Sequence, residues 1–507
     1  MQGYIPENDV ELRKVRGLSE LLQAAREQPD ARFFMFLHRR DARRLRDVRA
    51  LAAAPELARV ARLRITRGAL NEERACVLFS SPHLENLELL NIDGVEMGRP
   101  GFAALASSPS LPKLRFLYAV DTGLNDDLAA ALFEGLSGGR LESLRLGDDA
   151  IGTDTARAMA SCDGLRDLVA LHVYDEGFGP AGITALCGSP HLVGLEHLYL
   201  EEVDLGDEGV RAIAASLPNL RVLAITSAPP GVTGFACASR EGIRALCEPE
   251  TPKPLEKLYL DGVDLGAEVA ATLANAPLVD SLELLWLSGT NLGAEGARAL
   301  ASSPRLSGLD KLDVSNCGFG DDGLAALAAS EHLSSLTLLY LGGNDIGPAG
   351  LRALAYSEHL RGLISLHVRD NPVGDEAFSA LASSPVMANV TRLWAGECGL
   401  GSASARALAE SAHVERLLVL SLSRNALGDE GLRALAEGAF PGMEALDLRF
   451  CDASMAGVLA LAESGAWPEL DELDLYGNTL DAEHVAELET HPGFARLGRL
   501  VLPRLDA

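Results

Sequence analysis

LDKLDVSNCGFGDDGLAALAASEHLSSL, residues Leu309 to Leu336, is a phrase that returns about every 27 residues along most of this chain. It opens with LxxLxLxxC, an alternation that suits a short strand, because successive strand side chains face opposite ways. Leu312 and Val314 then point inward, while Lys311, Asp313 and Ser315 point outward. GFGDDG follows with turn residues and with aspartates at a helix start, where a carboxylate accepts from free backbone N–H groups. In GLAALAAS, Leu324 and Leu327 sit three apart, on one helical face. Leu333 closes the unit. One strand–helix unit cannot bury its own apolar side, but a stack of them buries a continuous core. The pattern therefore predicts an α/β solenoid.

Taken in order, residues 1–59 read as an N-terminal capping region with a degenerate repeat. SELLQAAREQPD suits a helix, FFMFLH from Phe33 an irregular strand, and DVRALAAAPEL the helix-and-return half of a unit. A solenoid end would otherwise expose its core, so an atypical unit is expected there. An independent ligand domain is the alternative. Regular repeats occupy 60–496, starting with VARLRI at Val60. Residues 497–507 form a C-terminal half-repeat cap, a strand at Leu497 with no helix behind it. The unit at Leu220 is longer than the rule by about eight residues, which lie in TSAPPGVTGFACAS. Insertions in repeat proteins fall in loops, often on the binding side, which makes Pro229, Pro230 and Phe235 a candidate contact loop. Drift in a tolerant loop is the other reading.

Repeats such as LELLWLSGTNLGAEGARALASSPRL, with recurring xxLGDEGLRALA and LASSP phrases, carry a family resemblance. The chain resembles ribonuclease-inhibitor-like leucine-rich repeat proteins, bacterial members most of all, over about Val60 to Leu502. The resemblance implies a leucine-rich repeat solenoid of horseshoe shape with about sixteen repeats. It places a parallel β-sheet on the concave face and α-helices on the convex face, and it implies protein binding on the concave surface. Packing supports the curvature, since parallel strands stack about 4.8 Å apart whereas helices need about 10 Å. Fold by itself does not fix activity.

The residue between the two core positions of LxL lies mid-strand on the concave face. In order these residues include Tyr118, Arg145, His172, Tyr199, Tyr259, Trp286, Asp313, Tyr340, His367 and Trp394. Tyr174 and Arg369 lie two residues further along their strands, as does Tyr476. Eight of the eleven Tyr and Trp residues thus gather on one surface of a chain with only 5% aromatics. Tyr and Trp are enriched at interface hot spots because each buries a large area at low entropic cost. Cross-strand stacking on a parallel sheet is the plainer reading, and the two are compatible.

A formal net charge of -28 makes nucleic acid and anionic membranes poor partners. No apolar run approaches the length of a membrane span, and MQGYIPENDVELRK lacks the core of a signal peptide, so the expected location is cytoplasmic. Eight cysteines occur without paired spacing. Cys317, Cys398 and Cys451 occupy the position held elsewhere by Asn344, Asn371, Asn425 and Asn478, where side chains satisfy backbone groups of the neighbouring turn. His172 and His197, on adjacent strands near Asp175 and Glu201, could ligate a divalent metal on paper. Structural roles suit them better. The chain has no phosphate-binding glycine loop, no HExxH and no nucleophile elbow.

These readings converge on a non-enzymatic scaffold, without cofactor or metal, that binds a protein partner through its aromatic-rich face and works as a monomer. The alternative is a regulator of an enzyme, such as a GTPase-activating protein, a role found among some eukaryotic relatives of this repeat class.

Overall fold

The computed structural model describes residues 12–174, 177–227, 237–248 and 253–503. Among these residues, nineteen strands alternate with eighteen α-helices, one strand and one helix per repeat. The chain divides into two compact units, the first ending at Tyr259 and the second beginning at Leu260. Pro229, Pro230, Phe235 and Asp175 lie outside the described residues.

The strands of the first unit are β1 Arg13–Arg16, β2 Phe33–Leu37, β3 Val60–Ile65, β4 Leu89–Asn91 and β5 Phe116–Val120. They continue with β6 Ser143–Gly147, β7 Ala170–Tyr174, β8 His197–Glu201, β9 Val222–Thr226 and β10 Lys257–Tyr259. Each pairs in parallel with the next. The region before Val60 thus supplies two strands to the same ladder. FFMFLH pairs regularly except for a register shift between Phe33 and Phe34. RKVR at β1 escaped the sequence pattern because it offers one buried apolar residue, Val15, and no second leucine.

The second unit contains β11 Leu284–Trp286, β12 Lys311–Asp313, β13 Leu338–Tyr340, β14 Ser365–His367 and β15 Arg392–Trp394. After these come β16 Val419–Ser421, β17 Ala445–Asp447, β18 Glu472–Asp474 and β19 Arg499–Val501, again parallel throughout. The core is the one the repeat dictates. Leu312, Val314, Leu324, Leu327 and Leu333 are all buried, and so are their counterparts Leu339, Leu341, Leu351, Leu354 and Leu360.

Short strands leave many backbone groups that no ladder reaches, and side chains one repeat away take them up. Asn344 donates through Nδ2 to the Val314 and Leu341 carbonyls and accepts at Oδ1 from Cys317 and Gly318 N–H groups. Asn371, Asn425 and Asn478 repeat this arrangement. Serines of the return turns donate to carbonyls at the C-terminal end of the helix one repeat back, as Ser357 does to Ala328 and Ser189 to Ala160. Helix starts are capped from the previous repeat as well. Asp321 accepts from Gly347 and Gly350, Asp375 from Gly401 and Ser404, and Asp429 from Ser454 and Gly457. These acids do more than favour their own helix dipole, because each satisfies orphan donors of its neighbour.

Candidate protein-binding face

Inward strand residues meet the helices, so the alternate residues form an open sheet face in each unit. In the first unit, Tyr118, Arg145, His172 and Tyr199 fall in register on β5 to β8. A second row places Gly147, Tyr174 and Glu201 side by side. Gly147 has φ 147 and lies under Tyr174, and a Cβ there would come within 2.0 Å of the Tyr174 carbonyl oxygen. Only glycine lets Tyr174 settle so low. His172 packs against Tyr199 with ring centroids 3.7 Å apart and the planes tilted by 45°, and its Nδ1 is 3.2 Å from Tyr174 Oη. The Arg145 guanidinium lies 4.8 Å above the Tyr174 ring. Burial pushes His172 down to about 3 and Tyr174 up to about 12, so both rings are neutral at ordinary pH. Burial likewise raises Glu201.

The second unit carries the longer ring stack. Trp286, Asp313, Tyr340, His367, Trp394 and Ser421 are in register on β11 to β16. Tyr340 and His367 centroids are 3.9 Å apart, and His367 and Trp394 are 3.7 Å apart and nearly parallel at 16°. Trp286 meets Tyr340 edge-on at 6.4 Å. Asp313, recessed in the row between these two, accepts from the Ser315 N–H at 2.8 Å, and burial raises its carboxyl. Burial also lifts Asp261 to about 6 and drops His367 to about 3. Beside the rings, the next open-face position is small on most strands: Ser288, Ser315, Gly342, Gly396 and Ser423, with Arg369 the exposed exception. The rings are therefore walls beside a low floor, and part of each remains in reach of a partner.

Three segments, residues 309–328, 332–355 and 417–436, match the family model described as Leucine Rich repeat. The chain carries leucine-rich repeats. Among solved structures, an internalin (InlF) from Listeria monocytogenes is 20% identical, covering 81% of this chain and 95% of that chain with a TM-score of 0.41. The Rad7 and Elc1 complex of yeast shows 16% identity, 90% and 88% coverage and a TM-score of 0.39. The mouse RP105/MD-1 complex shows 16% identity, 86% and 78% coverage and a TM-score of 0.42. A search among curated proteins finds no match.

Within these leucine-rich repeats, Trp286, Tyr340, His367 and Trp394 form one contiguous group, and Tyr118, His172, Tyr174 and Tyr199 share the open face of the first unit. Two of the expected contact residues are covered: His172 is 3% exposed and Tyr259 8% exposed. No group of three metal-ligating side chains comes together among the described residues, and His172 Nδ1 is already engaged by Tyr174. No helix among those residues is long and apolar enough to cross a membrane. All eight cysteines are free. Cys317, Cys398 and Cys451 direct their thiols to backbone carbonyls, and burial pushes Cys398 and Cys451 up to about 12, which leaves them poor nucleophiles.

The mid-strand row named from the sequence ends at Trp394 and so misses the charged floor beyond it. A cleft of about 290 Å³ runs from Trp394 past Ser421 to Asp447, Arg449, Asp474 and Arg499. Arg449 bonds Asp447 at 2.8 Å, and Asp447 accepts from Ser421 Oγ at 2.7 Å. The same one-residue register rule would have found Asp447 and Asp474.

Proposed function

We propose that this chain is a non-enzymatic scaffold that holds a protein partner on its open strand face, chiefly through Trp286, Tyr340, His367 and Trp394. The observation that carries this reading is the stack itself. Four rings in register are fixed against one another at 3.7–6.4 Å, yet each stays partly exposed. Rigid aromatic side chains lose little entropy on contact, so a partner meets a surface already ordered. Proteins built of leucine-rich repeats generally serve as protein-binding scaffolds, which favours the same reading. The helices that alternate with the strands favour a ribonuclease-inhibitor-like subtype, which we take to be of bacterial type. Eight free thiols suit the reducing cytoplasm. We take the working form to be a monomer.

The test is the triple substitution Trp286→Ala, Tyr340→Ala, Trp394→Ala, with the partner captured on wild-type and variant side by side. Loss of at least about a hundredfold in affinity is expected from removing three hot-spot rings, with the melting transition still cooperative. Undiminished capture by a folded variant contradicts the proposal.

A further inference from the structure

Among the described residues of the first unit, Arg145 Nε, His172 Nε2 and Glu201 Oε1 are buried without a hydrogen-bond partner. They sit on β6, β7 and β8, three successive strands, and all belong to the open face. Each such orphan costs roughly 1–3 kcal/mol, so three together on one patch call for a ligand that relieves them. Their chemistry is asymmetric. Arg145 Nε–H can only donate, and the Glu201 carboxylate can only accept. The neutral His172 ring takes either role, and in the tautomer whose Nδ1–H donates to Tyr174 Oη, Nε2 is an acceptor.

A guanidinium fits this set. It is planar, carries five donors in a fixed fork, and stacks on aromatic rings. Once the side chains over these buried atoms turn aside, one edge donates to Glu201 Oε1 and another N–H to His172 Nε2, while the flat face lies along the Tyr199 ring, itself 3.7 Å from His172. The peptide carbonyl beside such a side chain accepts from Arg145 Nε. Arg145 offsets the Glu201 charge only in part: its guanidinium is held over Tyr174, and burial still raises the carboxyl. Charge favours the same occupant: Asp148 and Glu202 are exposed at this edge, and the whole chain carries -28.

We propose that the Arg145–His172–Tyr199–Glu201 patch receives an arginine side chain of the protein partner, together with its adjoining backbone carbonyl. This rests on the protein-binding reading and names the chemistry of one part of that partner.

Fluorescein-labelled hexa-arginine is the probe, read by fluorescence anisotropy at about 0.15 M salt, where loose surface attraction is largely screened. Glu201→Gln keeps the shape and removes the charge. Glu208→Gln makes the same charge change in the same repeat, on an exposed helix position. The expected result is at least about tenfold weaker binding for Glu201→Gln, less than twofold change for Glu208→Gln, and weaker binding of labelled hexa-lysine to wild-type. Equal losses in the two variants, equal binding of the two peptides, or no hexa-arginine binding to wild-type each overturn the proposal. None of those outcomes touches the ring-stack experiment on Trp286, Tyr340 and Trp394, so the two readings fail separately.

Discussion

At the scale of single residues, burial governs protonation on the open face more than charge pairing does. His367 falls to about 3 and Asp261 rises to about 6, both chiefly through loss of water. The two act in opposite directions on stability. Histidine titrates near 6.5 in the unfolded chain, so as pH drops below that value the unfolded state takes up the proton first and stability is lost, down to about pH 3. Asp261 binds its proton more tightly when folded, so stability is gained as pH falls through about 6. His367→Phe preserves the sandwich between Tyr340 and Trp394 and removes one titrating ring. Thermal melts from pH 7 to 4 are expected to show a shallower acid loss for this variant than for wild-type; parallel curves would contradict the assignment. The register rule made these ring positions legible, since period two along LxL settles which side chain is outward. It could not reveal that His172 and Tyr259 are covered. Exposure depends on what lies across the strand, and local alternation holds no trace of that.

At the scale of the element, each repeat is completed by its neighbour. The Asn position shows this plainly, because its amide both donates and accepts across the repeat boundary. Asp149 stands at the same position in the first unit and accepts from the Thr122, Gly123 and Leu124 N–H groups. A carboxylate has no hydrogen to give back. Burial raises its pKa, and those three N–H bonds, with the Thr122 hydroxyl that also donates to it, only partly offset the shift. Its charge therefore costs stability at neutral pH, a cost relieved as pH falls through the folded value. Asp149→Asn is expected to raise stability at pH 7 by about 1 kcal/mol, through removal of the buried charge and added donation, measured by urea denaturation. A destabilised variant would show that Asp149 is held for its charge. The Asn and Cys positions were visible in the sequence because they recur at fixed spacing. The serine bonds to the helix one repeat back and the aspartate caps on the following helix were not, because their partners lie about 25–30 residues away, outside any local window.

At the scale of the whole molecule, repetition is the reason so much could be read. A unit that recurs needs to be understood once, and the alternation in LDKLDV then predicts strand after strand. What repetition cannot show is departure from itself: the β1 strand, the register shift at Phe33, and the charged cleft beyond Trp394. Function rests on such departures too, since outward positions vary while inward leucines do not. The central claim is that a partner meets the ring-bearing strand face and not the helical side. Photocross-linking tests it most directly, with p-benzoylphenylalanine replacing Tyr340 in one protein and Tyr356 in another. Tyr340 lies in the ring stack, whereas Tyr356 follows the helix Pro348–Ala355 and is 76% exposed. The account predicts a covalent adduct with the partner from position 340 and none from position 356; an adduct from position 356 with none from position 340 would contradict it.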